Sequence, residues 1–402
     1  MDRPSKGADS GDRDLLLALN AHRGLSRGAI CRLAGELPLW RGARGANREL
    51  ASRLSMDLDT LSKALELRTR ATAVADDQRE TCRRRCVRWC LRGDEAYPAS
   101  LLELELPPPV LFFSGRMPAT VHDRTATSAD SPAIAIVGSR KATAYGIEVA
   151  TWLARELAAA GTTIVSGFAR GIDAAAHRGA LQASSGTTVA VLGCGLGVDY
   201  PRGQSTLADE IRERGTLLSE FPCDTPPARR NFPVRNRIIA NLTSATVVVE
   251  AAPRSGSLVT ARLALESGRD VFAVPGRITD ELALGTNELL RDGAGLVMHP
   301  ADLLETLRRT RALRPARRLE IRRSGSTARS RRSAPRSSAI AIEPSTSSRS
   351  RRAGRSTTCC AVCSSSSSPV TRSVPRRRLP ARVRDPEPIR RRSAHFRSDG
   401  RI

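Results

Sequence analysis

Lysine, aromatic residues and long apolar runs are all scarce in this sequence. Lysine occurs at only three of 402 positions and aromatic residues make up 3% of the chain, so almost all of its positive charge is arginine. No apolar segment approaches the roughly 20 residues of a membrane-spanning helix, and the polar first residues predict no secretory signal peptide. Nine cysteines without a paired framework favour a reducing compartment. We therefore expect a cytoplasmic protein with no membrane partner.

Two familiar nucleotide-binding signatures and a zinc site are also missing. Neither the dinucleotide fingerprint G-x-G-x-x-G nor the Walker pattern G-x-x-x-x-G-K-[ST] occurs, which argues against a dinucleotide cofactor and a P-loop ATPase. Cys82, Cys86 and Cys90 are spaced to line one face of a helix, but no fourth ligand for structural zinc stands nearby. No cofactor and no metal are expected.

The positive charge is concentrated towards the C-terminal end. The formal net charge is +24, and residues 311–402 hold 25 basic and 5 acidic residues, which leaves only +4 for residues 1–310. This Arg/Ser-rich segment has few large apolar side chains, so we predict a disordered tail. It is either a cationic element that grips nucleic acid or the product of a shifted reading frame in a GC-rich gene.

Two regions precede the main domain. Apolar residues at helical spacing predict an N-terminal helical domain over residues 1–92, with helix expected throughout 11–92. It is either an accessory packing module or a helical-hairpin domain that touches the DNA backbone. Residues 93–131 are proline-rich in part and predict an extended linker that covers the next domain.

Residues 132–310 alternate apolar strands with helical segments. Strands are predicted at 133–137, 163–166, 188–192, 216–219, 245–250, 271–274 and 295–298, and helices at 145–160, 172–183, 205–214, 235–241, 258–267 and 287–292. Continuous Val/Ile/Ala strands separated by helices indicate an α/β fold, an extended Rossmann-like, doubly wound and mostly parallel sheet. Ligands of such sheets bind beyond the carboxyl ends of the strands.

Several short motifs follow those predicted strands. Gly138, Ser139 and Arg140 come directly after the first strand, where backbone amides, a hydroxyl and a guanidinium could hold a phosphate. The alternative is a plain turn with a solvated arginine. Ser166 and Gly167 begin a second glycine-containing loop after the next strand.

Asp173 and His177 stand one helical turn apart after that second loop. They could form a catalytic acid/base pair. No nucleophile or third group lies nearby in sequence, so a hydrogen bond that supports the helix is the favoured interpretation.

A third motif combines arginines with an aromatic ring. Arg229, Arg230, Phe232, Arg235 and Arg237 fall within nine residues, and a ring flanked by guanidinium groups is what single-stranded nucleic acid needs for stacking and charge. The alternative is a solvated basic helix. Because Arg235 and Arg237 point to different faces of a helix, one could contact the ligand while the other braces the site. Ser257 could donate to a phosphate or act as an N-cap.

In order along the chain, these motifs resemble the DNA-processing protein A (DprA/Smf) family. The matching runs are residues 137–140, 166–177, 189–195 with Tyr200-Pro201, 232–237, 255–258, 274–276 and 285–287. Residues 94–115 are similar to the segment that precedes the core in this family. The chain departs from the family pattern at Gln204, where asparagine is common, and in its tail, where many members have a winged-helix-like domain.

The resemblance implies a homodimeric protein without enzymatic turnover. Such a protein binds single-stranded DNA, protects incoming strands and helps to load the RecA recombinase during natural transformation. On the family pattern, Gly138, Ser139 and Arg140 hold phosphates, Phe232 stacks on a base, and Arg229 and residues 235–237, with Asn236 among them, line the same pocket. The alternative is a Rossmann-like nucleotide phosphoribohydrolase of the lysine-decarboxylase-like type. Residues 253–257 lack the glycines and the trailing acid of that family.

Overall fold

The computed structural model describes residues 10–122 and 132–313. The predicted tail beyond residue 313 and the loop at 123–131 lie outside the described residues, so the predictions made for them stay predictions. Within the described ranges, no helix combines the length and the apolarity that crossing a membrane requires.

A single nine-stranded sheet forms the centre of the fold. Its order is β1-β2-β6-β5-β4-β3-β7-β8-β9; the β1–β2 and β2–β6 pairs at one edge are antiparallel, and the other six pairs are parallel. The strands are β1 (Arg88–Leu91), β2 (Val110–Gly115), β3 (Ala133–Val137), β4 (Thr163–Ser166), β5 (Thr188–Val191), β6 (Thr216–Ser219), β7 (Ala245–Val248), β8 (Asp270–Ala273) and β9 (Gly295–Leu296). The predicted doubly wound, mostly parallel α/β fold is confirmed.

Helices cover both faces of this sheet. Ile134 and Ile136 of β3 contribute to one apolar cluster, while Ala133, Ala135 and Val137 contribute to another on the opposite face, as alternation along a strand requires. These helices are α8 (Ala144–Ala159), α9 (Ile172–Gln182), α10 (Ser205–Arg214), α11 (Asn231–Asn241), α12 (Gly256–Glu266), α13 (Glu281–Arg291) and α14 (Pro300–Leu313). All six helices predicted between 145 and 292 are present. The helix at 287–292 begins earlier than predicted, at Glu281.

The N-terminal helices pack around a core of their own. Trp40, Ile30, Leu33 and Leu61 are fully buried in this core. The helices are α1 (Ser10–Ala21), α2 (Arg27–Gly35), α3 (Leu37–Trp40), α4 (Arg48–Arg53), α5 (Leu58–Arg68) and α6 (Ala71–Arg84), followed after β2 by the short α7 (Ala119–His122).

The helical domain is held against the sheet domain by polar contacts. Asn20 Nδ2 donates to the Glu220 carbonyl at 3.2 Å, and the guanidinium of Arg27 lies 5.1 Å from the Phe221 ring centroid. Arg13 forms two hydrogen bonds with the Asp94 carboxylate, at 2.6 and 3.0 Å. The helices therefore have a fixed position beside the sheet.

Two expectations for residues 82–116 are wrong. Helix does not continue to residue 92, because α6 ends at Arg84 and residues 88–91 form β1. The segment predicted as a covering linker instead supplies β2, which joins β1 to β6 inside the sheet. The apolar side chains of β2 are thus buried by strand pairing and by helices on both faces.

The cysteines at 82, 86 and 90 consequently do not share a helix face. Cys82 lies on α6, Cys86 follows the helix with φ of +52°, and Cys90 lies on β1. The Cys82 and Cys223 sulfur atoms are 3.6 Å apart and both residues are buried. The helical spacing failed as a guide because the backbone reverses at Cys86.

Candidate nucleic-acid interface

The loops that follow β3, β4, β5 and β7 meet at the carboxyl edge of the sheet. Ser139 donates its backbone N–H to the Glu250 carbonyl at 2.8 Å, which ties the loop after β3 to the end of β7. The Ser139 carbonyl accepts from Ile172 N at 3.1 Å, and its hydroxyl accepts from Lys141 N at 3.1 Å. The predicted Gly138-Ser139-Arg140 motif is therefore a braced turn, with Ser139 buried and Arg140 exposed.

Arg235 is buried beneath these loops and does not reach solvent. Its guanidinium donates to the carbonyls of Gly167 and Val191, and its Nε donates to Asn236 Oδ1 at 3.2 Å. Burial lowers the pKa of Arg235 to about 10, and the neighbouring Asp173 carboxylate opposes that shift. Arg235 therefore holds the ends of β4 and β5 in place and does not present its charge to a ligand.

Gly167 is in direct contact with this buried pair. A Cβ at Gly167 would lie 2.6 Å from Asp173 Oδ2 and 2.7 Å from Arg235 Nη2. We call Gly167, Asp173 and Arg235 the floor of the site. Burial raises the pKa of the Asp173 carboxyl, while Arg235 and the Ala169 N–H, 3.2 Å from Oδ2, favour its charged form.

Phe232 places a half-buried ring above this floor, at the start of α11. The guanidinium carbon of Arg140 is 4.9 Å from the ring centroid, and the Tyr200 ring is 5.7 Å away at an interplanar angle of 33°. The ring packs so closely on Gly193, after β5, that a Cβ there would lie 2.7 Å from its edge. The Arg140 guanidinium and the rings of Phe232 and Tyr200 thus form one continuous surface.

Exposed basic residues follow six neighbouring strands at this edge of the sheet. They are Arg140 and Lys141 after β3, Arg170 after β4, Arg202 after β5, Arg229 and Arg230 after β6, Arg254 after β7 and Arg277 after β8. Within residues 10–122 and 132–313, none of the eight forms an ion pair, whereas Arg155, Arg212 and Arg291 on the helices do. A row of cations without carboxylate partners is a site for a polyanion.

Four further predicted residues have internal partners. Arg237 donates to Glu220 Oε2 at 2.6 Å and to the Leu106 carbonyl at 2.9 Å, so it does not join the row. The Ser166 hydroxyl donates to the Ile136 carbonyl at 2.6 Å. Asn236 Nδ2 donates to the Gly256 carbonyl at 3.3 Å, and Ser257 shares a 2.8 Å hydrogen bond with the Ser255 hydroxyl. The N-cap of α12 is Ser255 and not Ser257.

The N-terminus of α8 is occupied by a side chain of the protein itself. Glu250 accepts from Thr143 N at 3.0 Å and from the Thr143 hydroxyl at 2.5 Å, and its carboxylate packs on Gly146. In dinucleotide-binding folds, the first helix after the first parallel strand directs its N-terminal amides at a pyrophosphate. Here Glu250 supplies the negative charge at that position.

Asp173 and His177 do not interact as predicted. Asp173 accepts from Ala169, whereas His177 shares a 2.7 Å hydrogen bond through Nδ1 with the Thr188 hydroxyl, which itself donates to the Ile164 carbonyl at 2.8 Å. His177 is fully buried, and burial lowers its pKa to about 3. The acid/base pair is therefore wrong, whereas a hydrogen bond that supports the start of α9 is present, from Ala169 N to Asp173.

The sequence analysis missed Tyr200, Lys141 and four of the arginines in the row. Those arginines are Arg170, Arg202, Arg254 and Arg277. A simple signal was available for Lys141, Arg170, Arg254 and Arg277, because each lies three or four residues beyond the carboxyl end of a predicted parallel strand. Arg202 lies ten residues beyond its strand and had no such signal. The Tyr200 contact had no such signal, since it depends on a ring 32 positions later in the chain.

The comparisons with known proteins agree with this fold. A family model described as DNA recombination-mediator protein A matches residues 88–308. Protein Smf of Escherichia coli strain K12 is 47% identical over 214 residues, which cover 53% of this chain and 54% of that protein. DNA processing protein DprA of Streptococcus pneumoniae is 42% identical over 215 residues, covering 52% of this chain and 71% of the relative.

A solved structure extends the comparison. The X-ray structure of DNA processing protein A from Streptococcus pneumoniae aligns with a TM-score of 0.58 at 31% identity, covering 74% of this chain and 98% of that one. The chain spans about half the length of Protein Smf from Escherichia coli, a curated relative that it matches. Because the family model matches more than half of the 402 residues, this chain belongs to the DNA recombination-mediator protein A family.

Proposed function

We propose that this chain binds single-stranded DNA along the carboxyl edge of its sheet, protects incoming DNA and assists loading of RecA recombinase in natural transformation. The observation that carries the proposal is the Phe232 ring, which lies under Arg140 in a row of exposed arginines that have no ion-pair partner among the described residues. Guanidinium groups supply affinity for phosphates, and this term depends on salt and tolerates any sequence.

The ring explains a preference for unpaired strands. A base stacks on an aromatic side chain only when it is not already stacked and paired inside a duplex, and each such contact contributes about 1–3 kcal/mol. Phe232 and Tyr200 are both half-buried at the edge, so part of each residue remains accessible. The names of the relatives, DNA processing protein and DNA recombination-mediator protein, support DNA as the polymer and recombination as the process.

Action without chemical turnover is part of this proposal. The two side chains that could have formed an acid/base pair are engaged separately, and His177 is sealed in the core with its pKa lowered to about 3 by burial. A nucleotide phosphoribohydrolase is the alternative function. Release of adenine from AMP by the purified protein would favour it.

We also propose a cytoplasmic homodimer. Large apolar side chains are exposed in the loops after β8 and β9, where Ile278 is 84% and Met298 is 71% exposed. An interface between two protomers would remove these apolar side chains from water. The six cysteines among the described residues are all free thiols, which suits a reducing compartment.

The test compares binding of oligo-dT by the full chain and by variants at several salt concentrations. Phe232→Ala should weaken binding by about 1–3 kcal/mol, or roughly 5- to 150-fold, with no change in salt dependence. Arg140→Ala should flatten the slope of log K against log salt by about 0.7. Arg262→Ala removes an exposed charge on α12 that has no ion pair within residues 10–122 and 132–313, and serves as the control.

The tail contributes equally to every variant in this series, so differences between them report on the site alone. If Phe232→Ala and Arg140→Ala both bind like Arg262→Ala, the site is not where we place it.

For the RecA step, the wild type should shorten the lag of RecA filament formation on strands coated by a single-strand-binding protein. Phe232→Ala should shorten it less.

A further inference from the structure

We propose that Cys82 and Cys223 form a reversible disulfide, which links the helical domain to the sheet domain when a hydroperoxide is present. Cys82 lies on α6, and Cys223 lies in the loop between β6 and α11, 141 positions later in the chain. This modification site goes beyond the proposed function and requires no DNA. It would make the contact between the two domains covalent.

The two sulfur atoms are already in contact. They lie 3.6 Å apart, and a disulfide requires about 2.05 Å, so the bond forms after an approach of about 1.5 Å. Both residues are buried, with 2% and 1% of their surface exposed. They belong to one apolar cluster with Leu17 of α1 and Leu196 of the loop after β5. Packing of the helical domain on the sheet domain therefore brings the two thiols together.

The backbone around Cys223 is fixed by the loop after β5. The Cys223 carbonyl accepts from Gly197 N at 2.9 Å, and the Thr225 carbonyl accepts from Gly195 N at 2.9 Å. The two loops approach so closely that a Cβ at Gly195 would overlap the Cys223 carbonyl. Cys223 is thus held in position on the side of the sheet domain.

Arg85 joins the end of α6 to the same two loops. It follows Cys82 by three residues, its Nη1 donates to the Gly197 carbonyl at 3.2 Å, and its Nη2 lies 2.7 Å from Asp224 Oδ1. The hydrogen bond with Cys82 lowers the pKa of the Cys223 thiol; burial and Asp224 oppose this shift, and the Arg85 charge favours it. The same hydrogen bond raises the pKa of Cys82. Because the thiolate is the nucleophile, Cys223 is the sulfur that reacts first.

A cavity beside the pair gives room for an oxidant. Its volume is about 270 Å³, and it is lined by Thr81, Arg84, Arg85 and Asp224. Thr81 and Asp224 are the chain neighbours of the two cysteines. A water molecule takes up about 30 Å³ of liquid volume, so the cavity is large enough for hydrogen peroxide. An oxidant in this cavity is one residue away from each sulfur atom.

The oxidation balances with a hydroperoxide. The Cys223 thiolate attacks one peroxide oxygen, the O–O bond breaks, an alcohol leaves (water, from hydrogen peroxide), and Cys223 becomes a sulfenic acid. The Cys82 sulfur then attacks the Cys223 sulfur, the S–O bond breaks, and the Cys82 proton leaves with the oxygen as water. The two thiols lose two electrons, and the hydroperoxide gains them. A dithiol reverses the bond by exchange, as for the transient disulfides of reducing compartments.

Peptide mapping of the full chain tests the proposal. The reduced protein is treated with hydrogen peroxide, its remaining thiols are alkylated, and it is digested without a reductant. We expect a cross-linked peptide pair that contains Cys82 and Cys223 and that is lost after treatment with dithiothreitol. The link should also raise the melting temperature by about 4–16 °C, because it closes a long loop in the unfolded chain.

Cys86→Ser is the matched control, since Cys86 is an exposed cysteine four residues after Cys82. This variant should keep both the link and the rise in melting temperature, whereas Cys82→Ala and Cys223→Ala should each lose both. The wild-type digest decides the question even if one of these variants does not fold.

Three results would overturn the proposal. The first is a digest in which the linked pair is absent or contains Cys86 in place of either cysteine. The second is a link that forms only in urea, and the third is a linked protein with an unchanged melting temperature. None of these measurements involves DNA, so they can fail while the oligo-dT experiments succeed, and the reverse.

Discussion

A single methyl group added at Gly167 should destabilise the protein, because this residue touches both charged members of the floor. The Cβ of Gly167→Ala would lie 2.6 Å from Asp173 Oδ2 and 2.7 Å from Arg235 Nη2, against 3.4–4 Å for ordinary contact. Neither side chain can retreat easily. Asp173 accepts from a backbone N–H, Arg235 donates to the carbonyls of Gly167 and Val191, and both are buried.

The size of the effect follows from overpacking. Forcing an extra carbon into a close-packed interior costs about 1–3 kcal/mol, which corresponds to a fall of about 2–12 °C in the melting temperature of a domain of this size. Gly256→Ala is the matched control, since a Cβ there meets nothing within 4 Å and the residue begins α12. Its stability should stay within about 0.5 kcal/mol of the wild type.

Thermal unfolding followed by circular dichroism, with oligo-dT binding measured on the same samples, gives the result. Gly167→Ala should melt lower than Gly256→Ala and bind more weakly, because the loops after β3 and β4 rest on the floor. Equal melting temperatures would refute the reasoning. They would show that Asp173 and Arg235 can move away and that the floor does not brace the loops.

Three other predictions concern titration, domain contact and assembly. Burial lowers the folded-state pKa of His177 to about 3, whereas the pKa in the unfolded chain is near 6.5. The unfolded chain therefore binds the proton first, and the free energy of unfolding should fall by about 2 kcal/mol between pH 7 and pH 5. This loss should be absent in His177→Gln when urea unfolding is compared at the two pH values. Asn20→Ala removes a buried donor to the Glu220 carbonyl and should lower the free energy of unfolding by about 1–3 kcal/mol. Limited proteolysis should then cut faster between the helical and sheet domains, and an unchanged digestion rate would contradict this prediction. Ile278→Asp with Met298→Asp should shift the sedimentation coefficient from dimer to monomer at an unchanged melting temperature, and a wild type that sediments as a monomer would contradict the homodimer.

Most of the sheet could be predicted from the sequence because its parallel strands are continuous apolar runs bounded by turn residues. Residues 133–137, 163–166 and 216–219 were placed to the residue. Residues 88–91 were not, since the strand β1 (Arg-Trp-Cys-Leu) is short and forms only by pairing with β2, about 20 residues later. Pairing between distant segments leaves no periodic signal in the strand itself.

The site was predictable in outline and not in the roles of individual arginines. That Arg235 and Arg237 occupy different helix faces follows from their spacing. Their partners do not: Arg235 faces the ends of β4 and β5, while Arg237 reaches Glu220, 17 positions earlier in the chain. Tertiary contacts thus decide that Arg235 is buried below the candidate site and that Arg140 is exposed beside Phe232.

The Glu250 carboxylate at the N-terminus of α8 has a consequence for competition inside the cell. A mononucleotide finds no vacant amide cradle there, and any one guanidinium of the row offers it only a weak, solvated contact. Tight binding therefore requires many simultaneous contacts, each made more probable by those already formed. Free nucleotides, although abundant, would therefore not occupy this surface, whereas a polymer that makes many contacts at once could bind to it.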